Sequence, residues 1–114
     1  MKVFFDTNVL VSAFTTRGLS ADLMRLVIAQ HELLTGEVNL AEFRRVLRDR
    51  FRVPPADISA LERQLREHTV VARPAALSDI RVTGDKDLLA IAEAAPLPVL
   101  DPRGCWDRLR GRRA

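Results

Sequence analysis

The chain has 114 residues, enough for one domain and too few for two, so we expect a single domain over residues 1–114. One cysteine and two histidines exclude an internal disulfide and a zinc cluster, and no apolar run approaches the roughly 18 residues of a membrane span. The net charge of +3, carried mostly by arginine, favours a phosphate-bearing partner, and the composition fits a cytoplasmic protein.

The first predicted strand runs straight into a polar turn. Residues 3–5 form a continuous apolar run, typical of a parallel strand that is covered on both faces. Asp6 then lies at the carboxyl end of this strand, where open α/β sheets bind ligands. A carboxylate that leaves a core needs a metal, a hydrogen-bond donor or a cation. The alternative interpretation is that Asp6, Thr7 or Asn8 caps the helix predicted over residues 9–14.

Helices and strands alternate along the rest of the chain. After a turn over residues 16–18, Ser20 is predicted to cap a helix that ends near Gln30. The helix after Gly36 has an apolar stripe that is predicted to include Phe51. Further strands are predicted over residues 32–35, 69–72, 80–83 and 98–100, and further helices after Pro54, over residues 85–95 and after the N-cap Asp101. This alternation favours a parallel sheet with helices on both faces.

A second acidic turn follows the fourth predicted strand. Asp85 and Asp87 stand in the first turn of a predicted helix, just after Thr83-Gly84. Acids at that position also favour the helix dipole, so capping is an alternative interpretation. Because the carboxyl ends of parallel strands share one sheet edge, these acids should lie near Asp6, and like charges repel without a cation. Magnesium prefers carboxylate oxygens and water, which suits a chain without a thiolate or imidazole cluster.

Two other charged residues are candidates for this site. Glu42 borders the apolar stripe that Phe43 begins, so it could point into a cleft or simply pair with Arg45 in solvent. Lys86 lies between two acids, so it could contact a phosphate group or pair with a neighbouring carboxylate. Periodicity alone does not decide between these interpretations.

Three motifs together resemble the PIN-domain family, and in particular the toxin subunits of bacterial toxin–antitoxin pairs. They are Asp6-Thr7-Asn8-Val9-Leu10, Leu40-Ala41-Glu42-Phe43, and Thr83-Gly84-Asp85-Lys86-Asp87-Leu88-Leu89. The similarity runs nearly end to end and includes residues 98–102. The resemblance implies a three-layer α/β/α sandwich whose central sheet has four to five short, mainly parallel strands. It also implies a ribonuclease dependent on Mg²⁺ or Mn²⁺, with RNA as substrate, a cognate antitoxin as partner, and often a homodimer.

The resemblance also assigns roles by position. The implied catalytic metal ligands are Asp6, Glu42 and Asp85, with Asp87 as an auxiliary ligand or a residue that holds water. The implied hydrogen-bonding residues behind them are Thr7, Asn8 and Thr83. Lys86, between two acids beside this presumed metal site, is a candidate to contact the scissile phosphate. Metal-activated water would attack a phosphodiester.

One departure from the family pattern concerns the stretch before the fourth strand. Family members usually carry a further acidic motif and a helix there, whereas here only residues 73–79 lie between the strand predicted over residues 69–72 and Ile80, as if one helix were deleted. Asp79 is the sole acid in this stretch, and we expect it at the opposite sheet edge from Asp85. A parallel crossover normally takes a dozen or more residues. Either strand pairing changes locally, or a partner fills the gap, or the copy is degenerate.

Two alternative functions follow. A catalytically dead remnant could still bind antitoxin or RNA without cleaving. A phosphoacceptor receiver domain also places acids at strand ends, but it needs an aspartate after the middle strand, and residues 70–73 supply none.

Overall fold

A computed structural model of the chain describes residues 1–71, 79–84 and 98–110. These residues form, in chain order, β1 (Lys2–Phe5), α1 (Thr7–Thr15), α2 (Leu19–Gln30), β2 (Glu32–Thr35), α3 (Glu37–Asp49), α4 (Pro55–Glu67), β3 (Thr69–Val71), β4 (Ile80–Val82), β5 (Val99–Leu100) and α5 (Pro102–Leu109). The helix predicted over residues 85–95 lies outside the described residues. None of the described helices combines the length and the apolar character needed to cross a bilayer.

The five strands form one sheet in the order β3-β2-β1-β4-β5. Each neighbouring pair is parallel, and β1 is the central strand. The predicted α/β fold with a mainly parallel sheet is therefore confirmed. The strand order reverses at β1, because the chain proceeds from β1 to β2 and β3 on one side, whereas β4 and β5 lie on the other. A reversal of this kind opens a crevice at the carboxyl ends of the two diverging strands.

The main hydrophobic core lies on one face of the sheet. Val3 and Phe5 of β1 and Ile80 and Val82 of β4 point into it, and all five described helices contribute buried side chains. Because side chains alternate along a strand, Phe4 points to the other face, where it forms a small second cluster with Leu34 of β2.

Two predictions about helix ends were wrong. Ser20 does not cap α2, since Gly18 holds that position with a φ of 144°, a conformation that glycine adopts readily. Phe51 does not continue the apolar stripe of α3. The helix ends at Asp49, so Phe51 lies beyond it, 43% exposed, with the Arg50 guanidinium 5.7 Å from its ring centre.

The short joint between β3 and β4 leaves the sheet parallel. Two strands, β2 and β1, separate β3 from β4, so the joint crosses three inter-strand spacings, about 14 Å. Residues 72–79, fully extended, span up to roughly 27 Å. β4 pairs with β1 in parallel from Ile80 to Val82, so the local change of pairing that was one expectation is not seen.

Candidate active site

Asp6 lies at the carboxyl end of β1, at the crevice between β1 and β4. Its N–H donates to the carbonyl of Val82 over 3.0 Å, which ties the ends of the two strands together. Its carbonyl accepts the N–H of Leu10 over 3.0 Å, so Asp6 is the N-cap residue of α1 by its backbone. The carboxylate, however, makes no capping hydrogen bond. The buried Asp6 side chain is therefore available for a role other than helix capping.

The partner of the Asp6 carboxylate is an arginine from the neighbouring strand. Nη2 of Arg81 donates to Oδ1 of Asp6 over 2.7 Å, and the two side chains are 35% and 12% exposed. The Arg81 guanidinium also lies 5.2 Å from the ring centre of Phe4. A buried carboxylate requires a cation or several donors, and in this structure Arg81 supplies the positive charge.

One hydrogen bond ties the carboxyl end of β2 to that of β1, and another holds the start of α3 against the start of α1. Thr35, fully buried at the end of β2, donates through Oγ1 to the carbonyl of Phe5 over 3.3 Å. Nδ2 of Asn39 in the first turn of α3 donates to Oγ1 of Thr7 over 3.2 Å. These bonds bring the amino-terminal turn of α3 to the sheet edge where Asp6 lies.

Glu42 lies in α3 one turn after Asn39, on the same side of the helix. The neighbouring Phe43 is fully buried and meets Phe14 edge to face, with ring centres 5.4 Å apart. This packing fixes the rotation of α3 and leaves Glu42 half-buried at the border of the core, as predicted. Among the described residues Glu42 has no ion pair, so the predicted alternative of pairing with Arg45 is not seen there.

The end of β4 lies beside Asp6. Since Phe5 pairs with Val82, the next position in register sets Thr83 beside Asp6. Thr83 is buried, and its N–H donates to the carbonyl of Leu100 over 2.9 Å. Asn8, the remaining predicted hydrogen-bonding residue, is exposed. Asp85, Lys86 and Asp87 lie outside the described residues, so their placement stays a prediction.

Asp79 is at the opposite edge of the sheet. Its carboxylate accepts the N–H of Lys2 over 2.8 Å, and its own N–H donates to the carbonyl of Lys2 over 2.7 Å. These bonds join the amino-terminal ends of β1 and β4, so Asp79 lies at the start of the fourth strand, where the sequence placed it. Asp79 therefore cannot replace an acid missing from the carboxyl edge.

Sequence reasoning missed Arg81, Asn39 and Thr35. The signal for Arg81 was available, because a charged residue in the middle of the apolar segment Ile80–Val82 needs a partner once the strand is buried. Asn39 and Thr35 gave no comparable signal. Their bonds depend on how α3 packs against α1 and on the register between β1 and β2.

The donor set suits a hard divalent cation. Asp6 and Thr7 at this edge, and Asn39 and Glu42 on α3, carry carboxylate, hydroxyl and amide oxygens, and such ligands favour Mg²⁺ or Mn²⁺ over softer metals. In the described ranges, no three acidic, histidine or cysteine side chains are grouped so as to hold a metal. The described side chains alone therefore do not make up a metal site.

The parallel sheet and its reversed strand order define an α/β protein with a buried acid at the carboxyl edge, between β1 and β4. The family model of the PIN domain matches residues 3–102, so the chain belongs to the PIN-domain family. PIN domains are in general nucleases, which supports a nuclease-type function. No curated protein matches the chain significantly.

Proposed function

We propose that this protein is a ribonuclease that cleaves RNA internally with Mg²⁺ or Mn²⁺ and acts as the toxin of a bacterial toxin–antitoxin pair in the cytoplasm. The observation that supports the nuclease part best is the buried Asp6 carboxylate at the crevice between β1 and β4. It makes no capping bond, and half-buried Glu42 lies on the helix that packs beside it. Membership of the PIN-domain family supports the same reaction class.

The proposed roles of the side chains follow from this arrangement. Asp6, Glu42 and Asp85 would hold the metal, with Asp87 as an auxiliary ligand or a residue that orients water. Thr7 and Thr83, both buried, would fix the backbone around these acids, and Asn8 would add a further hydrogen bond. Lys86 would contact the scissile phosphate. When bound, the metal supplies an activated water and stabilises charge on the attacking and leaving oxygens.

RNA as the substrate is supported by an arginine-lined groove between α3 and α4. The groove has a volume of about 430 Å³, and Arg44, Arg45 and Arg48 line it. Arg44 pairs with Glu62 over 3.2 Å and Arg48 with Asp49 over 2.7 Å, whereas Arg45 has no ion pair among the described residues. Since Arg45 follows Glu42 by one turn, a phosphate on Arg45 would lie along the same helix as the proposed site.

A cognate antitoxin, a homodimer and the toxin role are the finer parts of the proposal. They rest on the family resemblance of the toxin type rather than on a described contact. The proposed deletion before β4 supports a second candidate, a degenerate PIN domain that binds antitoxin or RNA without cleaving. In its favour, residues 72–78 carry no acid and Asp79 lies at the wrong edge.

A cleavage assay with a matched pair of variants tests the proposal. We expect the wild-type protein to cleave single-stranded RNA with Mg²⁺ or Mn²⁺, and D6N to abolish cleavage. D79N is the control, because it removes the same charge at the opposite sheet edge and should keep the activity. Absence of cleavage by the wild type at every metal concentration would support the degenerate candidate.

An expression test addresses the toxin role separately. Induction of the wild-type chain should arrest bacterial growth, and D85N should relieve the arrest at equal protein level. Growth arrest that persists in D85N would contradict a toxic effect through RNA cleavage at this site.

A further inference from the structure

Arg81 is the charged residue in an otherwise apolar row across the sheet. The register places Phe4 beside Leu34 on one side and beside Arg81 on the other, and Arg81 beside Val99. Phe4 and Leu34 are 2% and 3% exposed. A guanidinium in this row has little water around its inner part, so it requires a negative partner. The carboxylate of Asp6, two residues beyond Phe4 on the same face, is that partner.

The contact between Arg81 and Asp6 gives the carboxylate a positively charged partner, but it is not bidentate. One N–H, on Nη2, reaches one carboxylate oxygen, whereas a bidentate arginine–carboxylate pair uses two parallel bonds. The Nε of Arg81 is buried without a hydrogen-bond partner. An arginine held by one charged bond and one ring contact can leave its carboxylate more readily than a bidentate one.

We propose that Arg81 is a built-in counter-ion that competes with the divalent metal for Asp6. This inference rests on the proposed function, because it assumes that Asp6 is a metal ligand. Without metal, the guanidinium neutralises the buried carboxylate and keeps the site folded. With metal, the positive charge of Arg81 lies next to a dication, so Arg81 either moves off Asp6 or weakens metal binding by repulsion. The residue therefore sets the metal concentration at which the site fills.

The proposal predicts that replacing Arg81 lowers the stability of the metal-free protein and raises its affinity for the metal. R81M keeps an unbranched side chain of similar length in the apolar row but removes the charge. In EDTA, the buried Asp6 carboxylate then lacks a cation, so R81M should melt below the wild type. Mn²⁺ should raise the melting temperature of R81M more than that of the wild type. By calorimetry, the Kd of R81M for Mn²⁺ should be lower than that of the wild type by up to about tenfold, because one neighbouring positive charge is removed.

Three variants complete the test. R81Q is a polar replacement in case R81M does not fold. R25M removes an exposed arginine on α2 and should leave both quantities unchanged. D6N/R81M removes both members of the pair, so it should regain stability in EDTA and lose the response to Mn²⁺.

Each contrary result has a distinct meaning. If the wild type binds Mn²⁺ and R81M and R81Q bind it equally or more weakly, the competition is wrong while the proposed metal site stands. If R81M leaves the Mn²⁺ affinity unchanged but weakens binding of single-stranded RNA, Arg81 is a phosphate contact and the counter-ion inference is wrong. If neither the wild type nor the Arg81 variants bind Mn²⁺, the proposed metal site itself fails, and the competition fails with it.

Discussion

At the scale of single residues, the site depends on buried polar groups that satisfy one another. Asp6 is matched by Arg81, Thr35 by the carbonyl of Phe5, and Thr7 by Asn39. Buried polar groups without partners cost more than satisfied ones gain. Loss of one partner should therefore affect both folding and the position of the acids.

Asn39 offers a direct test of this coupling. N39A removes the donor to the buried hydroxyl of Thr7, so we expect the free energy of unfolding to fall by about 1 kcal/mol. The amino-terminal turn of α3 also loses its bond to α1, so RNA cleavage should fall at temperatures where the variant is fully folded. Urea unfolding and a cleavage assay at 20–25 °C measure the two effects.

The control for N39A is another amide at this edge. N8A alters an exposed residue, so its unfolding free energy should stay within about 0.5 kcal/mol of the wild type. Equal destabilisation by N8A and N39A would show that the bond between Asn39 and Thr7 does not hold α3 in place.

The positions of the acids Asp6 and Glu42 could be predicted from the sequence better than the side chains that contact them. The position of Asp6 at a strand end followed from an apolar run that ends at an acid, and the half-buried position of Glu42 followed from the apolar stripe beside it, whereas their roles stay predictions. The bond from Arg81 could not be derived, because it depends on β4 lying next to β1 in a given register. The acids at 85 and 87 stay predictions.

At the scale of elements, α3 combines three functions on three sides. Leu40, Phe43 and Leu47 enter the core, and Arg45 and Arg48 line the groove shared with α4. Asn39 contacts Thr7 at the carboxyl edge of the sheet, and half-buried Glu42 follows it by one turn. Arg66 of α4 donates to Glu37 at the start of α3 over 2.6 Å, and this bond joins the two helices that form the groove. Arg66 also donates to Glu62 within α4 over 3.0 Å.

Arg45 is the residue in this groove whose loss should weaken RNA binding most cleanly. R45Q removes a guanidinium that makes no hydrogen bond or close ion pair with a described carboxylate, so single-stranded RNA should bind less tightly at low salt. If Arg45 contacts one phosphate, the slope of log K against log salt should decrease in magnitude by about 0.7. Fluorescence anisotropy with labelled RNA, in EDTA to prevent cleavage, measures both.

R25Q is the matched variant for R45Q. It removes one exposed arginine from α2, and Arg25 lines a different groove, formed with α1 and α4. We expect its affinity for RNA and its salt slope to match the wild type. A similar loss in R25Q and R45Q would indicate that overall charge, rather than the groove between α3 and α4, attracts RNA.

Element types were predictable, and element ends less so. The strand at residues 32–35 matches the prediction, and Asp101 caps α5 by accepting the N–H of Gly104 over 2.7 Å. The predictions that Ser20 caps α2 and that Phe51 belongs to the apolar stripe of α3 were wrong for local reasons. Gly18, with its positive φ, is the N-cap of α2 two residues before Ser20, and the apolar period of α3 extends past the point where its backbone helix ends.

At the scale of the whole molecule, the strand order decides where function can lie. Reversal at β1 puts the ends of β1 and β4 side by side, so two segments far apart in the chain meet at one crevice. Alternating helices and strands predicted the parallel sheet, but they did not predict this order. Sheet order depends on which crossovers pack over which face, and sequence periodicity does not contain that information.

The integrity of this packing can be followed through Cys105. The side chain is fully buried in α5, and burial raises the pKa of its thiol from 9.0 to about 12. In the unfolded chain the thiol ionises near pH 9, so the unfolded state loses this proton first. Because the pKa is raised in the folded state, the contribution of the Cys105 thiol to the free energy of unfolding is complete below pH 9. This contribution is lost between about pH 9 and 12.

The prediction concerns the difference in stability between the wild type and C105A. Alanine has no ionisable group, so effects of lysine and arginine titration cancel in the difference. At pH 8 the wild type should be the more stable protein, because C105A leaves space in the core. Between pH 9 and pH 10 its advantage should shrink by about 1 kcal/mol in urea unfolding, since the thiolate increasingly favours the unfolded chain. A difference that stays constant over this range would mean that solvent reaches Cys105 in the folded protein, and that α5 does not seal the core against α2.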